Sequence, residues 1–401
     1  MAVVVWPPVS DNWGMETIYL DHNATTPVRP EVVEAMSRAY RDGYANPASQ
    51  HQPGQRARRA LEDARERIAS LLGASLTDSR PDRMLFTSGG TEANNLAVLG
   101  IAEARGRGEP GQIVISAIEH PSVIEPAERL LERGWRLDTL GVTRDGVVRV
   151  DDLLGVVTPQ THLVSVILGS HETGVLQPVK ELASTCRKIG VPLHTDAVQV
   201  AGKRPIDFRG LGVATLTVAA HKFQGPLGIG ALVLDADTRL VPMLFGGEQQ
   251  NRLRPGTEPV ALALGMLTAL ELWQAECESE IRRITALRER FETGLRSGYA
   301  GVVVNGAGAE RLPHTANVAF PGLDGQILLM ALDLAGVACS VGSACASGST
   351  ELSPTLRAMQ LPHEIVAGSL RFSLGSTTTE AEVDEAVRRI VRVANDLKAM
   401  R

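Results

Sequence analysis

Short apolar runs alternate with amphipathic stretches through most of the chain. Runs rich in β-branched and aliphatic residues predict strands at 84–87, 112–117, 161–168, 192–195 and 213–220. Helical spacing of apolar positions predicts helices at 92–104, from about 121 to 133, and at 179–189. Before this block, a short strand at 18–20 enters a turn-rich loop, Pro30 opens a helix through residue 41, and a charged amphipathic helix covers 55–72 until Gly73 stops it. Strand, turn and helix in repeated succession imply a mostly parallel sheet covered on both faces. After Gly246-Gly247 a long helix, about 260–294, leads to a smaller α/β unit with strands near 301–304, 315–319, 337–340 and 369–373. There is no internal repeat, and the segment 340–350 alone approaches low complexity.

The reactive side chains fall at equivalent places in this pattern. Thr91, His120, His171, Asp196, Gln199, His221 and Lys222 each follow the C-terminal end of a predicted strand. In an open α/β sheet that edge is where ligands bind. Ser88-Gly89-Gly90-Thr91 turns a strand into a helix, so backbone N–H groups and the positive end of the helix dipole converge where an anion such as phosphate is held. The turn lacks the lysine of a Walker loop and the spacing of a dinucleotide fingerprint. Asp196 closes an apolar strand and suits a protonated ring nitrogen, while Lys222, at the end of the 213–220 run beside His221, suits a Schiff-base amine. A lone lysine in such a place is ordinarily a solvated surface group. Anion cradle, carboxylate and amine together describe pyridoxal phosphate (PLP).

Composition narrows the class without changing the picture. The 401 residues are 44% hydrophobic and 21% charged, enough for two or three domains. A net charge of −6 with no run of Lys or Arg argues against direct binding of nucleic acid. The four cysteines, Cys186, Cys277, Cys339 and Cys345, include no C-x-x-C pair, which fits neither a disulfide framework nor a zinc site and suits a reducing cytoplasm. Residues 1–14 read as a poorly ordered tail without a basic leader, and no window has the ~18 uninterrupted apolar residues of a spanning helix.

The chain resembles the cysteine desulfurases of the iron–sulfur-assembly and nitrogen-fixation type, within the class V aminotransferase group of fold-type I PLP enzymes. The stretches that carry the resemblance are Tyr19-Leu20-Asp21, Phe86-Thr87-Ser88-Gly89-Gly90-Thr91-Glu92-Ala93-Asn94-Asn95, Glu119-His120, Glu172-Thr173-Gly174-Val175 and His194-Thr195-Asp196-Ala197-Val198-Gln199. Further along come His221-Lys222 with Gly225-Pro226, Arg254-Pro255-Gly256-Thr257-Glu258 and Arg371-Phe372-Ser373-Leu374-Gly375. The resemblance implies a large PLP-binding domain at 29–278 with a mostly parallel seven-stranded sheet, a smaller α/β domain at 279–401, and a leading segment 1–28 that joins the small domain. By position it implies that Lys222 bonds PLP, His120 stacks on its ring, Asp196 pairs with the ring nitrogen and Gln199 reaches the phenolic oxygen. Gly90, Thr91 and His221 hold the phosphate, and Thr257 reaches the phosphate of a neighbouring subunit in a homodimer. Arg371, with Asn46 and His171, binds the substrate, and guanidinium geometry suits a carboxylate.

Cys345 stands in Ser343-Ala344-Cys345-Ala346-Ser347-Gly348-Ser349, small polar residues that favour exposure and mobility. The resemblance makes it the nucleophile that takes sulfur from L-cysteine as a persulfide, leaving L-alanine, and hands it to an acceptor protein for iron–sulfur assembly or for thiolation of RNA or DNA. A free thiol titrates near 8.5, so attack needs a base, with His120 the candidate. Cys339, inside an apolar run, reads as structural. Two positions depart from the family pattern: His171 stands where asparagine is usual, and Ala219 where serine often adds a phosphate hydroxyl. The alternatives are a selenocysteine lyase, an aminotransferase of the same class, or an inactive sulfur-transfer scaffold; Cys345 argues against transamination, and Lys222, Asp196 and Arg371 argue against inactivity. A cytoplasmic, metal-independent enzyme without a membrane partner is the resulting expectation.

Overall fold

The computed structural model describes residues 16–342 and 352–400, so the tail at 1–14 and Cys345 lie outside the described residues. The chain begins with β1 (Ile18–Tyr19), α1 (Pro30–Arg41) and α2 (Gln52–Leu71). Proline at the first position of α1 gives up only an N–H that has no helical partner there. The large sheet comprises β2 (Arg83–Thr87), β3 (Gln112–Ser116), β4 (Arg136–Leu140), β5 (Thr161–Ser165), β6 (Leu193–Asp196), β7 (Thr215–Ala219) and β8 (Gly230–Leu234). Interleaved with these strands are α3 (Gly90–Gly106), α4 (Pro121–Leu131), α5 (Leu153–Val156), α6 (Val179–Lys188) and α7 (Phe208–Leu211).

The seven strands are ordered β2-β8-β7-β6-β5-β3-β4. β8 runs antiparallel to both β2 and β7, and the remaining pairs are parallel. β3, β7 and β8 are buried along their whole length, as strands covered by helices on both faces must be. Gly230 starts β8 where a Cβ would stand 2.8 Å from the carbonyl carbon of Gly89, and this close approach seats the turn before α3 against the sheet.

The chain continues through α8 (Val260–Gly298), β9 (Val303–Val304), β10 (Thr315–Ala319), α9 (Gly325–Leu334), β11 (Val337–Ala338), α10 (Pro354–Ala358), α11 (His363–Ala367), β12 (Ser369–Ser373) and α12 (Glu380–Ala399). β12, β10 and β9 form an antiparallel sheet, and β1 pairs in parallel with β11. α12 starts with a capping box in which Thr379 and Glu382 satisfy each other's backbone N–H groups.

α8 belongs to two hydrophobic cores. Its residues Val260 to Leu270 pack into the core beneath the large sheet, while Ile284, Leu287, Phe291 and Leu295 pack with Phe320, Leu370, Phe372 and Ile390 in the second. The position 278/279 falls between these two sets. Ile18 and Leu20 belong to the second core, so the leading segment crosses back to the C-terminal unit. α8 has the length and apolar content of a spanning helix, and it packs against α1, α2 and α12.

Phe372 is fully buried, with its ring 5.1 Å from that of Phe291. Phe372→Ala should cost about 3–5 kcal/mol by removing this packing and leaving a cavity. Urea unfolding followed through a probe in the C-terminal unit measures it, and a loss below about 1 kcal/mol would show that the second core does not depend on this contact.

Candidate active site

Five strand ends converge on one cavity of about 220 Å³ lined by Ala24, Gly90, Thr91, Asn94, His120, Ser122, Ile167, His171, Asp196, Val198, Gln199, Ala219, His221 and Lys222. All seven strand-end side chains singled out in the sequence are on that wall, with Gly90 and the departure at Ala219. Backbone order explains the convergence: β2, β3, β5, β6 and β7 end at the same edge, and each reactive residue lies within a few positions of its strand.

Asp196 is the most constrained of them. Its Oδ1 accepts from the Val198 N–H at 2.8 Å and its Oδ2 from Asn94 Nδ2 at 2.7 Å. Asn94 is fixed in turn because its Oδ1 lies 3.2 Å from His194 Nε2, and His194 Nδ1 lies 2.8 Å from Thr215 Oγ1. Burial depresses the His194 imidazole to about 3, so the ring is neutral and each group has one consistent role. Thr215 donates to Nδ1, Nε2–H donates to Asn94, and Asn94 donates to Asp196. A carboxylate held this way is ready to meet a cationic ring nitrogen.

Lys222 follows β7 in a short 3₁₀ turn, and its Nζ donates to the carbonyls of Asn23 at 2.5 Å and Ala24 at 2.9 Å. Its own carbonyl accepts from Lys203 Nζ at 2.7 Å, and burial lowers the Lys203 amine to about 8. Burial first, and then the Lys222 charge, lower His221 to about 4. Gln199 Nε2 also donates to the Asn23 carbonyl, so the loop after β1 is tied to both walls of the cavity.

α3 follows the N-cap Gly89 without a side-chain cap, and a Cβ at Gly89 would meet nothing within 4 Å. The start of this 17-residue helix, with Gly90 and Thr91 on the cavity wall beside His221, offers unpaired N–H groups to an anion. An anion site, a carboxylate and an amine on one wall fit the donor set that PLP requires.

His171 is buried, and its Nδ1 has no hydrogen-bond partner among the described residues. Its ring meets that of His120 edge to face, with centroids 5.3 Å apart. Arg371, also buried, donates through Nη1 to the carbonyls of His171 and Gly342, and its Nη2 pairs with Asp21 at 2.8 Å. Arg371 thus touches the cavity wall through the His171 backbone, with Nε unsatisfied among the described residues. Thr257 and Asn46 are not on the cavity wall; they share a separate depression of about 300 Å³ with Tyr40, Tyr44 and Pro259. Cys339 is half-buried against the second core, and desolvation first and Asp21 second push its thiol well above the ordinary range, as a structural cysteine requires.

Asn94, Ser122, His194 and Asn23 are site residues that the sequence reading did not pick out by role. Asn94 lies three positions after Thr91, on the same helical face, and that spacing was the available signal. Asn23 meets Lys222 through its backbone carbonyl while its side-chain amide donates to the distant His171 carbonyl at 3.2 Å, a tertiary contact with no local signal.

The Aminotransferase class-V family profile matches residues 18–386. Among curated proteins, Cysteine desulfurase IscS of Dictyoglomus turgidum is 40% identical to this chain over 383 residues, covering 96% of each. A solved structure described as a NifS-like protein superposes with a TM-score of 0.87 at 32% identity, covering 95% of this chain and 100% of the other. A second, SspA in complex with cysteine, superposes with a TM-score of 0.77 at 30% identity, covering 89% of this chain and 99% of the other.

Beneath His120 lies Glu119, whose Oε1 accepts from Ser116 Oγ and the Ile167 N–H while Oε2 has no partner among the described residues. Burial raises this carboxyl from 4.5 to about 8. Between those values the folded chain keeps a proton that the unfolded chain has lost, so the Glu119 contribution to stability falls as pH rises through the window. One such proton contributes a slope of at most about 1.4 kcal/mol per pH unit. The buried neutral histidines contribute the opposite slope below their ordinary value, so the difference between Glu119→Gln and wild type isolates the carboxyl: in denaturant unfolding from pH 5 to 8 the variant should gain stability relative to wild type as pH rises, and an identical pH dependence would mean that Glu119 is ionised in the fold.

Proposed function

The chain belongs to the class-V aminotransferase family, and from that premise we propose that it is a PLP-dependent cysteine desulfurase converting L-cysteine to L-alanine and an enzyme persulfide on Cys345. The observation that carries this reading is the single cavity that gathers Lys222, Asp196, His120 and an uncapped helix N-terminus. Relatives named cysteine desulfurase and a related structure holding cysteine support the substrate.

PLP, when bound, supplies the electron sink that labilises bonds at the substrate's α and β carbons. The chain's own groups do the rest. Asp196, oriented by Asn94 and Val198, would hold the ring nitrogen proton. Lys222 would bond the cofactor and carry a proton to and from the substrate, while Gly90, Thr91 and His221 would hold the phosphate and Gln199 the phenolic oxygen. Arg371 and His171 would bind the substrate carboxylate end.

The described residues on either side of the segment that holds Cys345 support this reading. Gly342 accepts from Arg371, and Ser353 Oγ donates to Glu172 Oε2 at 2.6 Å, so both flanks of the segment 343–351 are anchored beside His171. Three residues of chain reach at most about 11 Å from Gly342. The Cys345 thiolate takes the substrate sulfur, and the persulfide then passes to an acceptor protein serving iron–sulfur assembly or thiolation of RNA or DNA. Thr257 and Asn46 line a depression separate from the cavity, and the strongly exposed apolar stretch of Met243, Leu244 and Phe245, the last 87% exposed, runs into Gly246, which lies against Pro255. A second copy of the chain, receiving Thr257 at its phosphate site and burying that stretch, accounts for both facts.

Incubated with L-cysteine and a reductant, the enzyme should release sulfide and alanine in equal amounts. Lys222→Ala should lower the rate by on the order of 10²–10⁴-fold or more, and borohydride should no longer fix the cofactor to the peptide containing residue 222. Cys345→Ala should abolish sulfide release while cofactor absorbance persists. Wild-type sulfide release from Cys345→Ala would exclude the persulfide route.

A further inference from the structure

His120 is the N-cap of α4, and the cap fixes its proton. Its Nδ1 lies 3.1 Å from the Ser122 N–H and 2.8 Å from Ser122 Oγ. The amide can only donate. Ser122 Oγ already accepts from Asn94 Nδ2 at 2.8 Å, which leaves its own hydrogen directed at the imidazole. Nδ1 is therefore an acceptor from two donors, and the neutral ring must carry its proton on Nε2. A second contact holds the ring plane: His171 packs against it at an interplanar angle of 77°, and the Arg371 Nη1 bond to the His171 carbonyl pins the backbone behind it.

We propose that His120 is locked as the Nε2–H tautomer and is not the base that takes the Cys345 proton, with His171 as the positioning residue that fixes its ring. The catalytic consequence rests on the desulfurase reading; the tautomer does not. For His120 to accept a proton, Nδ1 must give up both Ser122 donors. Lys222 and Arg371 face the ring as positive charges, desolvation acts in the same direction, and Asp196 alone favours the cation. Burial first, then His120, Arg371 and Lys222, hold His171 well below its ordinary value, with Glu172 Oε1 3.8 Å from its Nε2, so His171 adds no positive charge beside His120. The Cys345 proton must then leave through another group.

Neutron diffraction from deuterated crystals of the holoenzyme locates the proton directly. The expected result is a deuteron on Nε2 and a bare Nδ1 in the wild type, retained in Ser122→Ala, where the amide still donates. In Ser122→Pro, which removes both donors at a helix position that tolerates proline, Nδ1 should gain deuteron density. A deuteron on Nδ1 in the wild type would overturn the proposal without any variant. The His171 part is read by histidine-ring NMR of the holoenzyme, with His120→Gln assigning the signal. His171→Ala and the milder His171→Asn should move the His120 titration upward, because burial is the main cause that lowers it and opening the His171 side rehydrates the ring. An unchanged titration in both would show that His171 does not act through His120. Loss of sulfide release in the wild type, with the tautomer as stated, would instead count against the desulfurase reading alone.

Discussion

The site depends on keeping one carboxylate charged in a dry place. Asp196 is almost fully buried at the end of β6, and an isolated charge there would cost several kcal/mol unless its lone pairs were met. They are met by a backbone amide and by Asn94, which is itself braced by His194 and Thr215. That chain of donors runs from β7 through β6 to α3, so the position of α3 relative to the sheet and the direction of the Asp196 carboxyl are one constraint. The uncapped start of α3 is consequently tied to Asp196 through Asn94, and the sheet sets where both face the cavity.

The C-terminal unit enters through Arg371 and not through a wall of its own. Its guanidinium lies on β12, antiparallel to β10, yet its partners are Asp21 after β1, the His171 carbonyl after β5 and the Gly342 carbonyl after β11. One buried cation thus fastens the leading segment, the large sheet and Gly342 together. Such a centre cannot move without leaving an unpaired buried charge, which couples the chain after β11 to the wall that holds His171.

Much of this was legible in the sequence because the signals were local. Apolar runs ended at Thr91, His120, His171, Asp196 and Lys222, and strand ends in a parallel sheet share an edge, so seven residues could be placed at one mouth without coordinates. The elements that escaped notice lacked such a signal. β4 is an edge strand, largely exposed and polar at Arg136 and Asp138, and β8 follows a Gly/Pro-rich stretch and needs β2 and β7 to define it. Gln250 gave no hint that, at φ +50°, its amide would bracket both the N–H and the carbonyl of Phe86. It thereby completes the ladder of edge strand β2 and ties the loop before Thr257 to the sheet. The pairing of Arg371 with Asp21, 350 positions apart, is likewise a tertiary fact.

The histidines that crowd this region do not make it a titrating site in the usual range. Burial holds His22 and His194 at about 3 and His221 at about 4, and holds His171 and His314 well below their ordinary value. The groups that change charge near pH 8 sit one layer out: Lys203, bonded to the Lys222 carbonyl, and Glu119, beneath His120. As pH rises through that value Lys203 loses a positive charge and Glu119 gains a negative one, so both steps move the potential at the cavity in the same direction. Two like-signed changes flanking an anion-binding site weaken its hold on a phosphate and on a substrate carboxylate together. The electrostatics that favour anionic ligands therefore belong to the lysine and the protonated glutamate behind the walls as much as to the residues that touch the ligand.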